Sequence, residues 1–75
     1  MKFGLVIKMN NGDIFFISPR FYTNDEVVQY FEDKQLTDII KVKDRSKRTV
    51  FIMRNNVSSY MIVNKEEYDE IINEF

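Results

Sequence analysis

The chain has no cysteine, histidine, tryptophan or alanine, and only one proline and two glycines among its 75 residues. Without cysteine, neither a disulfide framework nor a thiolate metal site can form. Without histidine, there is no imidazole ligand or imidazole base. Two glycines are too few for a glycine-rich phosphate loop. We therefore expect no cofactor, no bound metal and no small-molecule substrate, and we predict that the protein is not an enzyme.

Long apolar runs are also missing. The N-terminal stretch is apolar for only a few residues before Lys8 interrupts it. Such a run is too short for the apolar region of a signal peptide and far too short to cross a bilayer. The sequence therefore predicts a cytoplasmic protein without a membrane partner.

What the chain does have is bulk, with seven phenylalanines and four tyrosines in a length that suits one domain over residues 1–75. A chain of this size buries a smaller share of its surface than a larger protein does. Large side chains raise the apolar area buried per residue, which compensates in part for the absence of disulfides and structural metal sites.

The clearest pattern is a repeat of hairpin followed by helix. Residues 2–9 alternate with the period of a strand, and Asn11-Gly12 predicts a type I′ turn that pairs Met9 with Ile14. We expect Pro19 to end the second strand. A capping pattern beginning at Thr23 then predicts a short amphipathic helix as far as about Lys34.

The second half repeats this logic. Period two returns at Thr37, and a short polar loop over residues 44–47 separates the predicted third and fourth strands. A turn at Asn55-Asn56 leads to a fifth strand, and the pattern from Asn64 to Phe75 predicts a terminal helix. The tightest registers place six residues on the core face of this meander, namely Ile40, Val42, Phe51, Met53, Tyr60 and Ile62.

These elements predict an α+β fold in a single small domain, with the order ββαβββα. The sheet is expected to be five-stranded and mainly antiparallel, with both short helices packed on one face. A right-handed crossover through the first helix would give the strand order 2-1-3-4-5.

Charge is unevenly distributed behind a net value of −1. The segment 41–54 holds six cations and one acid, whereas both predicted helices are acidic. Clustered cations on a sheet are typical of nucleic-acid binding. The candidate nucleic-acid-binding residues are Lys41, Lys43, Arg45, Lys47, Arg48 and Arg54. The predicted registers place Phe51 and Tyr60 on the opposite face, so the cations lack the aromatic platforms on which bases stack.

A protein partner is the other interpretation. The predicted outer face mixes apolar side chains with cations, which resembles the apolar centre and charged surround of an interface. The candidate protein-binding residues are Val50, Ile52, Arg54, Met61, Phe15 and Ile17. The same patch would also serve a homodimer.

Taken together, the sequence predicts a small non-catalytic protein-binding module, with nucleic-acid binding through the basic segment 41–54 as the alternative. The small size and the many residues with A/T-rich codons are compatible with an accessory protein of a phage or mobile element. Such a protein would bind or inhibit a host protein.

Overall fold

The computed structural model describes residues 1–32 and 38–74, which form five strands, two helices and one 3₁₀ turn. Strands β1 (Phe3–Met9) and β2 (Ile14–Phe21) precede helix α1 (Asn24–Glu32). Strands β3 (Ile39–Lys43) and β4 (Thr49–Met53) follow, and the 3₁₀ turn Arg54–Asn56 leads to β5 (Val57–Asn64) and α2 (Lys65–Glu74). The predicted α+β class and ββαβββα order are confirmed. The predicted helix end at Lys34, the strand pattern at Thr37 and the docking of Phe75 lie outside the described residues.

The first hairpin closes through a three-residue loop rather than the predicted type I′ turn. Gly12 N–H donates to the carbonyl oxygen of Met9 at 3.0 Å, and Met9 N–H donates to that of Asp13 at 2.8 Å. Gly12 has φ of +94°, while Asn11 is not among the described residues with positive φ. This geometry is that of a type I turn with a glycine bulge, which shifts the pairing by one residue. The shifted register pairs Lys8 with Ile14 and Val6 with Phe16.

The strand order is β4-β3-β2-β1-β5, and all four pairings are antiparallel. The predicted order 2-1-3-4-5 is therefore wrong. Because β5 pairs with β1 instead of β4, Asn55-Asn56 does not close a hairpin but connects the two edge strands. The predicted end of β2 at Pro19 is also wrong, since the strand continues to Phe21 past an irregularity in its pairing with β1.

The sheet is strongly curled. Its edge strands are separated by four strand spacings, about 19 Å in a flat sheet. The chain nevertheless passes from Met53 to Val57 in four residue steps, which span at most about 15 Å. The sheet must therefore bend, which gives it a concave inner face and a convex outer face.

Each face is covered by its own helix. On the inner face, Val27 of α1 is fully buried against side chains such as Leu5 and Ile7. The rings of Phe31 and Tyr60 stack there at 4.2 Å between centroids, which ties α1 to β5.

On the outer face, Tyr68 of α2 packs with Val6, Phe16 and Val63. The Tyr68 and Phe16 rings meet edge to face at 6.1 Å. The prediction that both helices share one face is therefore wrong. Neighbouring residues of β1, Leu5 and Val6, point to opposite faces, and each face buries a different helix.

Both helices begin with the predicted side-chain caps. Thr23 Oγ1 accepts from Glu26 N–H at 3.2 Å. Asn64 Oδ1 accepts from Glu67 N–H at 2.8 Å, and Glu67 Oε1 accepts from Asn64 N–H at 3.2 Å. These bonds satisfy N–H groups that have no partner within the helix. The second cap matters for the outer face because it starts α2 directly after β5.

Candidate interaction surface

Most of the residues predicted to bind a protein do not lie on an exposed face. Ile17 and Ile52 belong to the inner core, with exposed fractions of 4% and 7%. Phe15 and Val50 are partly buried against the same core. The predicted placement of these four residues on an outer surface was wrong. Their strands, β2 and β4, are each displaced by one residue from the predicted register, which moves every side chain of the strand to the other face.

The two remaining predicted residues lie elsewhere. Arg54 is partly buried in the 3₁₀ turn. Met61 is 51% exposed on the outer face, where it pairs with Val6 of β1. Its strand is therefore separated from β3 by two strands and from β4 by three. The structure does not bring the six predicted protein-binding residues together into one patch.

The displacement in β4 comes from the loop that precedes it. Lys43 pairs with Thr49, so the loop runs over residues 44–48 and is one residue longer than predicted. Asp44 Oδ1 accepts hydrogen bonds from the N–H groups of Ser46 and Arg48, each at 2.9 Å. Lys47 has φ of +63°. The carboxylate thus organises the loop, in the way that aspartate commonly stabilises turns.

Asp44 also forms an ion pair across this loop. Arg48 Nε donates to Asp44 Oδ2 at 2.9 Å. The hydrogen bond from the Arg48 backbone N–H is the main cause that lowers the pKa of the Asp44 carboxyl below its ordinary value, and the guanidinium acts in the same direction. The loop therefore has its described geometry with Asp44 ionised.

The corrected register exposes a different set of side chains on the outer face of β3 and β4. Directly opposed pairs are Ile39 with Met53, Lys41 with Phe51, and Lys43 with Thr49. Phe51 is 67% exposed, Ile39 52% and Met53 45%. We call this set the outer β3–β4 surface; it consists of Ile39, Lys41, Lys43, Thr49, Phe51 and Met53.

This surface changes in character along its length. Its Ile39–Met53 end is apolar, whereas its other end meets the loop that carries Arg45, Lys47 and Arg48. Lys43 Nζ donates to Thr49 Oγ1 at 2.8 Å across the two strands. Of the predicted nucleic-acid-binding residues, Lys41 and Lys43 lie on the surface and the three loop cations adjoin it. Arg54 lies at the other end of β4.

The structure also reverses one sequence-based argument. Phe51 was predicted to lie in the core, on the face opposite to the cations. It is instead the direct cross-strand neighbour of Lys41 on an exposed face. Met53 moves from the core prediction to the surface for the same reason.

Within residues 1–32 and 38–74, no group of three acidic, cysteine or histidine side chains is placed to hold a metal ion. None of the described helices is long and apolar enough to cross a membrane.

Comparison with known proteins adds no functional information. No protein-family model matches the chain, and neither a curated protein nor a solved structure shows a significant match to it. The outer β3–β4 surface is therefore interpreted from its own geometry.

The exposed apolar residues were missed because the sequence of β4 is ambiguous. In β3, lysines alternate with Ile40 and Val42, which identifies the buried face. In β4, both alternations are apolar, Val50 with Ile52 and Phe51 with Met53. The one residue of β4 that indicates the exposed face is polar Thr49, which lies on the same face as Phe51 and Met53.

Proposed function

We propose that this protein is a small binding module that attaches to another protein through the outer β3–β4 surface. The observation that carries the proposal is the exposure of Phe51 next to the exposed Ile39–Met53 pair. Adjacent exposed apolar side chains are typical of interaction sites, and a large aromatic residue is a common energetic centre of an interface.

The surroundings of this patch support the same function. Helix α2 packs on residues of β1, β2 and β5 and borders Lys43 of β3, whereas Ile39, Phe51 and Met53 stay exposed. Lys41 and the loop cations surround the apolar side chains on one side. An apolar centre with a charged periphery is the usual organisation of a protein interface.

Two variants with similar exposure test the proposal. The wild-type chain, Phe51→Glu and Met61→Glu are used to capture partners from extracts of the source cells, and each captured protein is then titrated in purified form. We expect Phe51→Glu to weaken binding at least about thirtyfold, since an interface centre contributes about 2 kcal/mol or more. Met61→Glu should bind like the wild type, because β1 and β2 lie between the strand of Met61 and β3.

The opposite result, loss of binding with Met61→Glu and not with Phe51→Glu, would contradict the proposal. The same proteins are examined by sedimentation equilibrium for self-association. A dimer that Phe51→Glu dissociates would identify the partner as a second copy. If the chain derives from a phage or mobile element, as its composition suggested, the partner to seek is a host protein.

Single-stranded nucleic acid is a second candidate, favoured by the placement of Phe51 opposite Lys41. An aromatic ring next to cations can stack with a base while the cations contact phosphates. A shallow groove of about 200 Å³ between β2 and β3 is lined in part by Arg20, Lys41 and Lys43, which would extend the basic surface.

Titration with labelled oligothymidine at two salt concentrations tests this candidate. Binding should fall with salt at a slope of roughly 0.7 per phosphate contacted, and both Phe51→Ala and Lys41→Glu should weaken it. Absence of binding at low salt would exclude this candidate.

A further inference from the structure

The backbone of β4, at one edge of the sheet, has hydrogen-bonding groups that point either toward β3 or away from it. Its hydrogen-bond phase can be derived from the two ends of the β3–β4 ladder. Arg54 N–H donates to the carbonyl oxygen of Asp38 at 2.7 Å, and Asp44 N–H donates to that of Arg48 at 3.0 Å. In an antiparallel ladder, hydrogen-bonded pairs alternate with pairs that are not hydrogen-bonded to each other.

This alternation assigns every residue of β4. The pairs Asp38–Arg54 and Asp44–Arg48 are two of the hydrogen-bonded type, so Ile40–Ile52 and Val42–Val50 are also of that type. Thr49, Phe51 and Met53 belong to the other type. Their backbone N–H and C=O groups therefore point away from β3.

The side of β4 that faces away from β3 pairs with no other strand among the described residues. The strand lies at one edge of the sheet, and β3 is the strand that pairs with it among the described residues. Thr49, Phe51 and Met53 thus present both their backbone hydrogen-bonding groups and their side chains outward. An exposed edge of this kind is the geometry onto which an extended peptide adds as a further strand.

The cations around this edge favour an acidic partner. Lys41 and Lys43 lie on the neighbouring strand, and Arg45, Lys47 and Arg48 lie in the loop before β4. Three acids lie near these five cations: Asp44 is paired with Arg48, Asp13 lines a groove with Arg45 and Arg48, and Asp69 lines one with Lys43 and Lys47. The group therefore keeps a net positive charge. A second copy aligned antiparallel to β4 would place its own Met53 and Arg54 beside this loop, and so would offer it no acid. An acidic partner would be attracted.

We propose that β4 accepts an extended acidic peptide segment as a sixth, antiparallel strand, with its acidic residues beside the loop Asp44–Arg48 and its apolar residues beside Phe51 and Met53. This inference rests on the proposed function and adds the mode of binding and the class of partner. The five residues of β4 span about 17 Å, which matches about five residues of an added strand.

The probe is a capped peptide in which alternating valine and threonine residues are followed by three glutamates. In an antiparallel arrangement, its C-terminal glutamates lie beside the loop cations. A matched peptide ends in three lysines. We expect the glutamate peptide to slow amide hydrogen exchange at Thr49, Phe51 and Met53, and the lysine peptide to bind at least tenfold more weakly.

Met53→Pro tests the contribution of the backbone. Met53 has φ of −84° and ψ of 126°, a conformation close to that of proline, and its N–H is not used by the β3–β4 ladder. The matched control is Met53→Ala, which loses the same side chain but keeps the N–H. Relative to this control, Met53→Pro should bind the glutamate peptide about tenfold more weakly, since one backbone hydrogen bond is lost.

The outcomes separate the two proposals. If the peptide shifts the signals of the Phe51 ring and the Ile39 methyl groups without slowing exchange at β4, strand addition is overturned and the outer β3–β4 surface stands as a binding site. If the glutamate peptide does not bind, or binds no better than the lysine peptide, the inference fails for acidic strands. If oligothymidine displaces the bound peptide more effectively than excess peptide does, the surface serves nucleic acid, and both proposals of a protein partner are overturned.

The exchange measurement on the wild-type protein needs no variant. It therefore decides the question even if Met53→Pro fails to fold. Protection that appears elsewhere in the sheet and not at these three amides would also overturn the inference.

Discussion

Truncation of two neighbouring residues of β4 should lower the free energy of unfolding by very different amounts. Ile52 is 7% exposed in the inner core, whereas Phe51 is 67% exposed. Ile52→Ala removes three buried carbon atoms, worth about 2.4 kcal/mol at about 0.8 kcal/mol each, and leaves a cavity that adds to the cost. We expect a loss of about 2–4 kcal/mol. Phe51→Ala should change the free energy of unfolding by less than about 1 kcal/mol, since most of its ring is already in water.

These values are large compared with the whole stability of a 75-residue domain, which is roughly 4–11 kcal/mol at typical values per residue. Urea unfolding followed by circular dichroism measures both variants. With a slope of about 1 kcal/mol per molar urea, Ile52→Ala should lower the midpoint by about 2 M or more. A large loss with Phe51→Ala and a small loss with Ile52→Ala would show that β4 has the opposite phase, and the outer β3–β4 surface would then not exist.

Three further predictions concern the backbone and the loop. Gly4→Ala should destabilise the fold by about 1–3 kcal/mol, because the new Cβ would lie 2.8 Å from the Ile17 carbonyl oxygen and 3.1 Å from a ring carbon of Tyr68; thermal unfolding measures this loss. Gly12→Val should cost about 1–2 kcal/mol through its φ of +94° alone, since nothing lies within 4 Å, and Gly12→Asn should cost less in the same assay. The pKa of Asp44 is lowered in the folded state, so its stabilisation is present above its ordinary value of 3.8 and is lost as the pH falls through the folded-state value. Urea unfolding at neutral pH and near pH 3 should show a smaller acid loss for Asp44→Asn than for the wild type.

Local signals in the sequence were reliable. The positions of the strands, the two capped helix starts and the α+β class follow from periodicity and from residues such as Thr23 and Asn64, because these signals act within a few residues. Registers were less reliable. Asn11-Gly12 is compatible with a two-residue and a three-residue loop, and Asp44 lengthened the second loop by one residue.

Those one-residue differences decided the candidate site. A shift of one residue exchanges the two faces of a strand. In β3 the lysines still identify the outer face, but in β4 each face is apolar, so the local pattern does not show which pair is buried. The tertiary structure resolves this: Ile52 packs with Ile40 and Val42 on the inner core, which leaves Phe51 and Met53 outside.

Strand order determines which part of the outer face α2 covers and which part stays exposed. Helix α2 starts directly after β5 and must pack near it. A helix is about 10–12 Å wide, so it covers little more than two strands at a spacing of about 4.8 Å. In the predicted order, β5 lies beside β4, and α2 would cover the outer face of β4. In the observed order, β5 lies beside β1 at the opposite edge, so α2 covers Val6 and Phe16, and Phe51 stays exposed. The pairing of β5 with β1 is thus the physical reason that Ile39, Phe51 and Met53 of the outer β3–β4 surface stay exposed.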